Sequence, residues 1–140
     1  MSSPLNTDEV QGKRTPTVLI VDDEAVITET LSLILKAHGY PTRIARTGEE
    51  AVEQARTSAP EVLVCDIILP GITGIDAAVQ IRALCRDCRI ILISGAVLSA
   101  ELLERARADG NHFEVLAKPF HPSRLLELLR DDTPLADALS

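Results

Sequence analysis

The chain contains no tryptophan, two phenylalanines, one tyrosine and one methionine, so aromatics make up only 2% of its 140 residues. Packing must therefore fall to Val, Ile, Leu and Ala, which favours a sheet-and-helix core of branched aliphatics. An excess of basic residues is also missing: the formal net charge is −7 and the pI is about 4.9. That excludes the basic footprint that binding to a phosphate backbone requires, and an anionic membrane surface with it. Proteins and metal ions are left as partners. There is no apolar run of the roughly 18 residues needed to span a bilayer. Residues Met1 to Thr17 are polar and contain nothing like a signal peptide. Three cysteines are too few and too odd in number for a disulfide framework, so a reducing, cytoplasmic setting is expected.

What is present alternates between two kinds of segment. Continuous aliphatic runs occupy Thr17 to Val21, Val62 to Cys65 and Arg89 to Ile93, with shorter candidates at Thr42 to Ala45 and Phe113 to Ala117. Helical periodicity lies between them. Ile27, Leu31, Ile34 and Leu35 mark one face of a helix over Ala25 to Ala37, which Gly39 ends. Thr47-Gly48-Glu49-Glu50 opens a second helix, running to about Ala59-Pro60. Ile75 and Val79, with Ile81, suggest a third over Ile75 to Leu84. The fourth and fifth run from Ser99 to Ala108 and from Pro122 to Arg130, the last carrying Leu125, Leu126, Leu128 and Leu129.

Five βα units in series imply one open, doubly wound parallel sheet with helices on both faces. The expected division is an N-terminal tail over residues 1–16, a single domain over 17–130 and a C-terminal tail over 131–140.

In such a sheet functional groups gather beyond the carboxyl ends of the strands. There the first strand supplies Asp22, Asp23 and Glu24, the third Asp66, the fourth Ser94 and the fifth Lys118. Converging carboxylates repel one another, and a divalent cation with oxygen ligands, of which Mg²⁺ is the natural choice, removes the conflict. A carboxylate nucleophile, a metal, a lysine and a hydroxyl together make a site for phosphoryl transfer. The ordinary alternative for Asp22 and Asp23 is to cap the helix that starts at Ala25. Cys85 and Cys88 have C-x-x-C spacing without a second pair to complete a zinc set, and are read as reduced thiols, as is Cys65 in its strand.

Four segments taken together, Val18-Leu19-Ile20-Val21-Asp22-Asp23-Glu24, Val64-Cys65-Asp66 through Pro70-Gly71 to Gly74, Ile93-Ser94-Gly95 and Lys118-Pro119-Phe120, resemble the receiver domains of two-component response regulators. The resemblance implies a flavodoxin-like (βα)5 fold of strand order 2-1-3-4-5, with Asp66 as phosphoacceptor. Asp23 would bind Mg²⁺ directly and Asp22 through water, with Asp66 and the backbone carbonyl of Ile68 completing the ligands. Ser94 would move to hydrogen-bond the phosphoryl group, Lys118 would pair with it, and the Lys118-Pro119 peptide would often be cis.

The implied partners are a sensor histidine kinase and either a downstream protein target or a histidine phosphotransfer protein, with no direct nucleic-acid or membrane contact. A phosphorylation-dependent dimer is left open. The chain would be a stand-alone switch that catalyses only its own phosphorylation and dephosphorylation. The alternative is the receiver portion of a hybrid kinase or larger regulator. An aspartate-based phosphatase of the haloacid dehalogenase type fits less well, because it needs a second Asp two residues after its nucleophile and Asp22 is followed by Asp23 and Glu24.

Three departures from the family pattern bear on mechanism. The aromatic that often stands three residues before the lysine is Val115 here, with Phe113 two residues earlier, so either Phe113 takes over as the switch or the movement of Ser94 is read out differently. Ile68 and Ala96 flank the expected phosphoryl position, and two apolar residues there predict slow self-dephosphorylation. The usual methionine before the loop proline is Leu69, a neutral exchange. The surface expected to change lies around Ala96 to Ala108 and the fifth strand, through Leu98, Leu102 and Phe113.

Overall fold

A computed structural model describes residues 15–95 and 97–131, with the side chains of Val97 and Leu98 outside the description. Strands β1 (Val18–Val21), β2 (Thr42–Ala45), β3 (Val62–Asp66), β4 (Arg89–Ser94) and β5 (Glu114–Ala117) alternate with helices α1 (Ala25–Ala37), α2 (Gly48–Thr57), α3 (Gly74–Leu84), α4 (Val97–Ala108) and α5 (Pro122–Arg130). All the strand pairings are parallel, and the sheet order is β2-β1-β3-β4-β5. This is the flavodoxin-like doubly wound arrangement implied by the resemblance.

The aliphatic runs form strands because both faces of the sheet are covered. In β1, Leu19 and Val21 point into one core with Ala51, Val52 and Ala55 of α2, Ile75, Ala78 and Ile81 of α3 and Leu103 of α4. Val18 and Ile20 point into the other, with Leu31 and Leu35 of α1 and Leu125, Leu126, Leu128 and Leu129 of α5. Alternate residues thus serve opposite layers, and each fully buried aliphatic side chain contributes about 1.5–3 kcal/mol.

Local signals set the helix starts. Thr47 caps α2 by accepting from the amide of Glu50 at 3.0 Å, and Glu50 reaches back to the amide of Arg46 at 2.8 Å. Thr73 caps α3 through the amide of Asp76 at 3.1 Å. Gly39, at φ 93°, takes the left-handed turn that ends α1.

Several boundaries differ from expectation. Helix α4 begins at Val97, two residues before Ser99, α2 stops at Thr57, and Phe113 lies one residue ahead of β5. Val79 is not core: the face of α3 that meets the sheet is Ile75, Ala77, Ala78 and Ile81, where small alanines allow close approach, and Val79 is exposed. On α1, Thr28 and Ser32 share the buried face with Leu31 and Leu35, leaving Ile27 and Ile34 half-buried. The hydroxyl of Thr28 satisfies itself on the carbonyl of Ala25 at 3.0 Å, which permits its burial.

Candidate functional site

Asp66 is the last residue of β3, and its neighbour across the ladder is Ile93, so Ser94 follows at the same edge. Ser94 in turn pairs with Ala117, which places Lys118 immediately beyond. Asp22 and Asp23 follow β1 directly. Folding therefore converges Asp22, Asp23, Asp66, Ser94 and Lys118 on the carboxyl edge of the sheet.

The geometry is tight. Lys118 Nζ donates to Asp66 Oδ2 at 2.9 Å and lies 3.9 Å from Asp22 Oδ2. Carboxylate oxygens of Asp22, Asp23 and Asp66 all lie within 4.8 Å of one another. Asp22 and Asp66 are buried and Asp23 is exposed. Asp22 Oδ1 accepts the amide of Glu24 at 3.0 Å, and Asp66 Oδ1 lies 3.4 Å from the amide of Ile68. The helix-cap reading of Asp22 and Asp23 holds only in small part. The cap position of α1 is Glu24, whose own side chain makes no capping bond; Asp22 bonds the Glu24 amide, and the first turn holds no acid.

The electrostatics match the crowding. Burial, with the charges of Asp66 and Asp23, raises the Asp22 carboxyl above its usual range, against the lowering pull of the Glu24 amide and Lys118. Burial alone would lower Lys118, but its bond to Asp66 and the charges of Asp66, Asp22 and Glu24 win and hold it above its ordinary value. Three carboxylates facing one ammonium leave an excess of about two negative charges. An all-oxygen set of this size, with that excess charge, fits a small hard divalent cation that keeps part of its water shell.

Two glycines make this edge possible. A Cβ at Gly74 would lie 2.0 Å from the backbone oxygen of Asp66, and the Gly74 amide donates to the carbonyl of Ile67 at 2.8 Å. A Cβ at Gly95 would meet the Lys118 stem at 2.9 Å. The start of α3 thus presses on the backbone that carries Asp66, and the Lys118 stem lies close over Gly95. The Lys118-Pro119 peptide is cis.

The remaining sequence-derived residues fall elsewhere. Val115 is half-buried opposite Leu92, and Phe113 is buried in the same core layer with the Arg82 guanidinium carbon 5.2 Å from its ring centre. Neither reaches the carboxylate cluster. Ile68 is partly exposed. Ala96 and the side chain of Leu98 lie outside the described residues, and Leu102 is packed against the core. All three cysteines are free and buried, with Cys88 pushed up to about 12 by burial and by Cys85.

Sequence reasoning missed Ser99, whose hydroxyl lies 3.0 Å from that of Ser94. The available signal was a second serine five residues on, in the first turn of the next helix.

Residues 18–130 match the family described as the response regulator receiver domain. The chain is 37% identical over 119 residues to the chemotaxis protein CheY of Thermotoga maritima, covering 84% of this chain and 95% of that one. It is 27% identical to the DNA-binding response regulator MtrA of Mycobacterium tuberculosis, but spans only 55% of that protein's length. Among solved structures, Vibrio cholerae CheY4 superposes with a TM-score of 0.71 at 29% identity, over 81% of this chain and 95% of that chain. A putative response regulator from Chloroflexus aurantiacus does so at 0.68 and 34%, over 81% and 93%.

Proposed function

The chain belongs to the response regulator receiver family, and from that premise we propose that it is a phosphorylation-controlled switch whose acceptor is Asp66. The observation that carries the reading is Lys118 Nζ at 2.9 Å from Asp66 Oδ2, within a cluster of three carboxylates.

An Asp66 oxygen attacks the phosphorus of a phosphohistidine on a sensor kinase. The P–N bond breaks, a P–O bond forms, and the departing imidazole takes up a proton. Lys118 holds Asp66 in place and then pairs with the added charge, while Ser94 supplies a neutral hydroxyl donor at the same edge. Asp22, Asp23, Asp66 and the Ile68 carbonyl would hold Mg²⁺, which when bound offsets charge on the transferring group. The acyl phosphate carries about −1.5 to −2 charge where the Asp66 carboxylate carried one, at one edge of the sheet. The surrounding segments respond by shifting between two arrangements, and a protein target or a histidine phosphotransfer protein reads the result. The output surface is the α4 and β5 region. Partial coverage of MtrA supports one further reading, in which the same unit serves as the receiver part of a larger regulator.

Intact mass after incubation with acetyl phosphate and Mg²⁺ tests the assignment. A phosphoryl adduct that requires the metal and disappears in Asp66→Asn is expected; an adduct that persists in the variant would move the acceptor elsewhere. Ile68 and Ala96 offer no group to orient an attacking water, so the adduct, once free of phosphodonor, should decay with a half-life of minutes or more. Decay within seconds would remove the role given to these two residues.

A further inference from the structure

The β4–α4 junction contains a hydroxyl pair that the phosphoryl chemistry does not require. Ser94 Oγ lies 3.0 Å from Ser99 Oγ, and Ser99 is fully buried in the first turn of α4. The Ser94 side chain is bonded to Ser99, although β4 runs beside β3 to the same edge as Asp66.

A serine hydroxyl has one proton to donate. A phosphoryl oxygen on Asp66 is a charged acceptor and outcompetes a neutral serine oxygen. Ser94 is half-buried at the end of the neighbouring strand, within the region such a group would occupy. While Ser94 spends its proton on Ser99, it cannot also donate to that group.

Among the described residues, Val115 and the aromatic side chains Phe113 and Tyr40 are engaged elsewhere. Val115 is aliphatic, Phe113 has no polar tip and sits against Arg82, and the chain's single tyrosine, Tyr40, is buried in the opposite core layer. We infer that Ser99 is a positioning residue for Ser94: the hydroxyl pair holds Ser94 away from Asp66 in the resting protein, and its release couples the chemistry at Asp66 to the first turn of α4.

This inference rests on Asp66 being the phosphoacceptor. Once Ser94 turns away, Ser99, buried in the first turn of α4, gives up that hydrogen bond, and breaking a bond in a buried position is costly. The helix start therefore has a physical reason to repack in response to an event at Asp66.

The test is the phosphorylated-to-free ratio of the full chain at sub-saturating acetyl phosphate with Mg²⁺, read by intact mass. It compares the native protein, Ser99→Ala, Ser94→Ala and the double variant, with a thermal melt to establish folding. Ser99→Ala should raise the ratio about three- to tenfold, the range that one net hydrogen bond corresponds to, and should have no effect in the Ser94→Ala background. Ser99→Cys keeps the volume with a weaker hydrogen bond and should shift the ratio the same way by a smaller factor, which covers the case of an unstable alanine variant. A ratio in Ser99→Ala at or below native, or an equal gain with Ser94 already removed, would overturn the inference while leaving Asp66 as acceptor. Absence of adduct from every protein, native included, would overturn both.

Discussion

The two edges of the sheet use charge in opposite ways. At the amino edge, Arg89 forks onto Glu114 at 2.8 and 2.9 Å and spends its remaining nitrogen on the carbonyls of Leu128 and Asp131, at 2.8 and 3.0 Å. That one guanidinium joins β4, β5 and the end of α5. Beside it Thr17 and Glu61 bond reciprocally, amide to carboxylate at 2.9 Å and amide to hydroxyl at 3.1 Å. At the carboxyl edge three carboxylates crowd together, and Lys118 pairs with only two of them, Asp66 and Asp22. Paired charge holds the first edge together, while the second carries an excess of negative charge that the proposed cation would offset.

The largest expected effect comes from breaking the paired edge. Arg89→Ala takes the forked cation from buried Glu114 and removes the donor to two carbonyls at the end of α5, so urea unfolding should show a loss of about 3 kcal/mol. The exposed Arg46–Glu29 pair, 3.5 Å apart, is the control and should cost less than about 0.5 kcal/mol when broken. Equal effects at both pairs would erase the contrast between the edges.

The opposite sign is expected at the other edge. The Asp22 carboxyl is raised, mainly by burial, so the folded protein favours its neutral form. Its favourable contribution is complete below the unfolded value near 3.8 and is lost as pH rises through the higher folded value. At neutral pH the charge therefore works against the metal-free fold. Asp22→Asn, which keeps an oxygen for the Glu24 amide, should stabilise the metal-free protein by about 1 kcal/mol. With the proposed Mg²⁺ site, the native chain should melt at a higher temperature when Mg²⁺ is added, and the same variant should show a smaller rise. A destabilised variant would mean the acidic edge is compensated after all.

The smallest effect concerns the thiols. Cys85 and Cys88 lie in the turn that leads to Arg89, on the quiet side of the molecule, with Cys88 pushed up to about 12. Burial also raises Cys65. Iodoacetamide at pH 8 should leave Cys65 and Cys88 unmodified in the native chain while all three react in urea. Rapid native labelling of Cys88 would show that the amino edge opens more readily than its pairing suggests.

The contrast also separates what could be read from the chain alone. The carboxyl edge was legible because an acid or lysine directly following an aliphatic run has few structural reasons to be there, and Asp22, Asp66 and Lys118 each stand in that position. The amino edge was not. Arg89 and Glu114 open their strands 25 residues apart, and nothing local marks them as partners rather than solvated charges. Val79 was misplaced because an i, i+4 step from Ile75 is ambiguous where alanines do the packing. The pairing of Ser94 with Ser99 depends on where α4 begins, and helix boundaries are the least legible feature of any sequence.

Asp66 terminates β3, the central strand, every residue of which is buried between β1 and β4. Backbone in such a position opens to solvent only with global unfolding and exchanges its amide hydrogens last. The proposed acceptor is thus mounted on the part of the molecule expected to exchange slowest, and whatever responds to a group placed there is to be sought in the loops and helix ends around it.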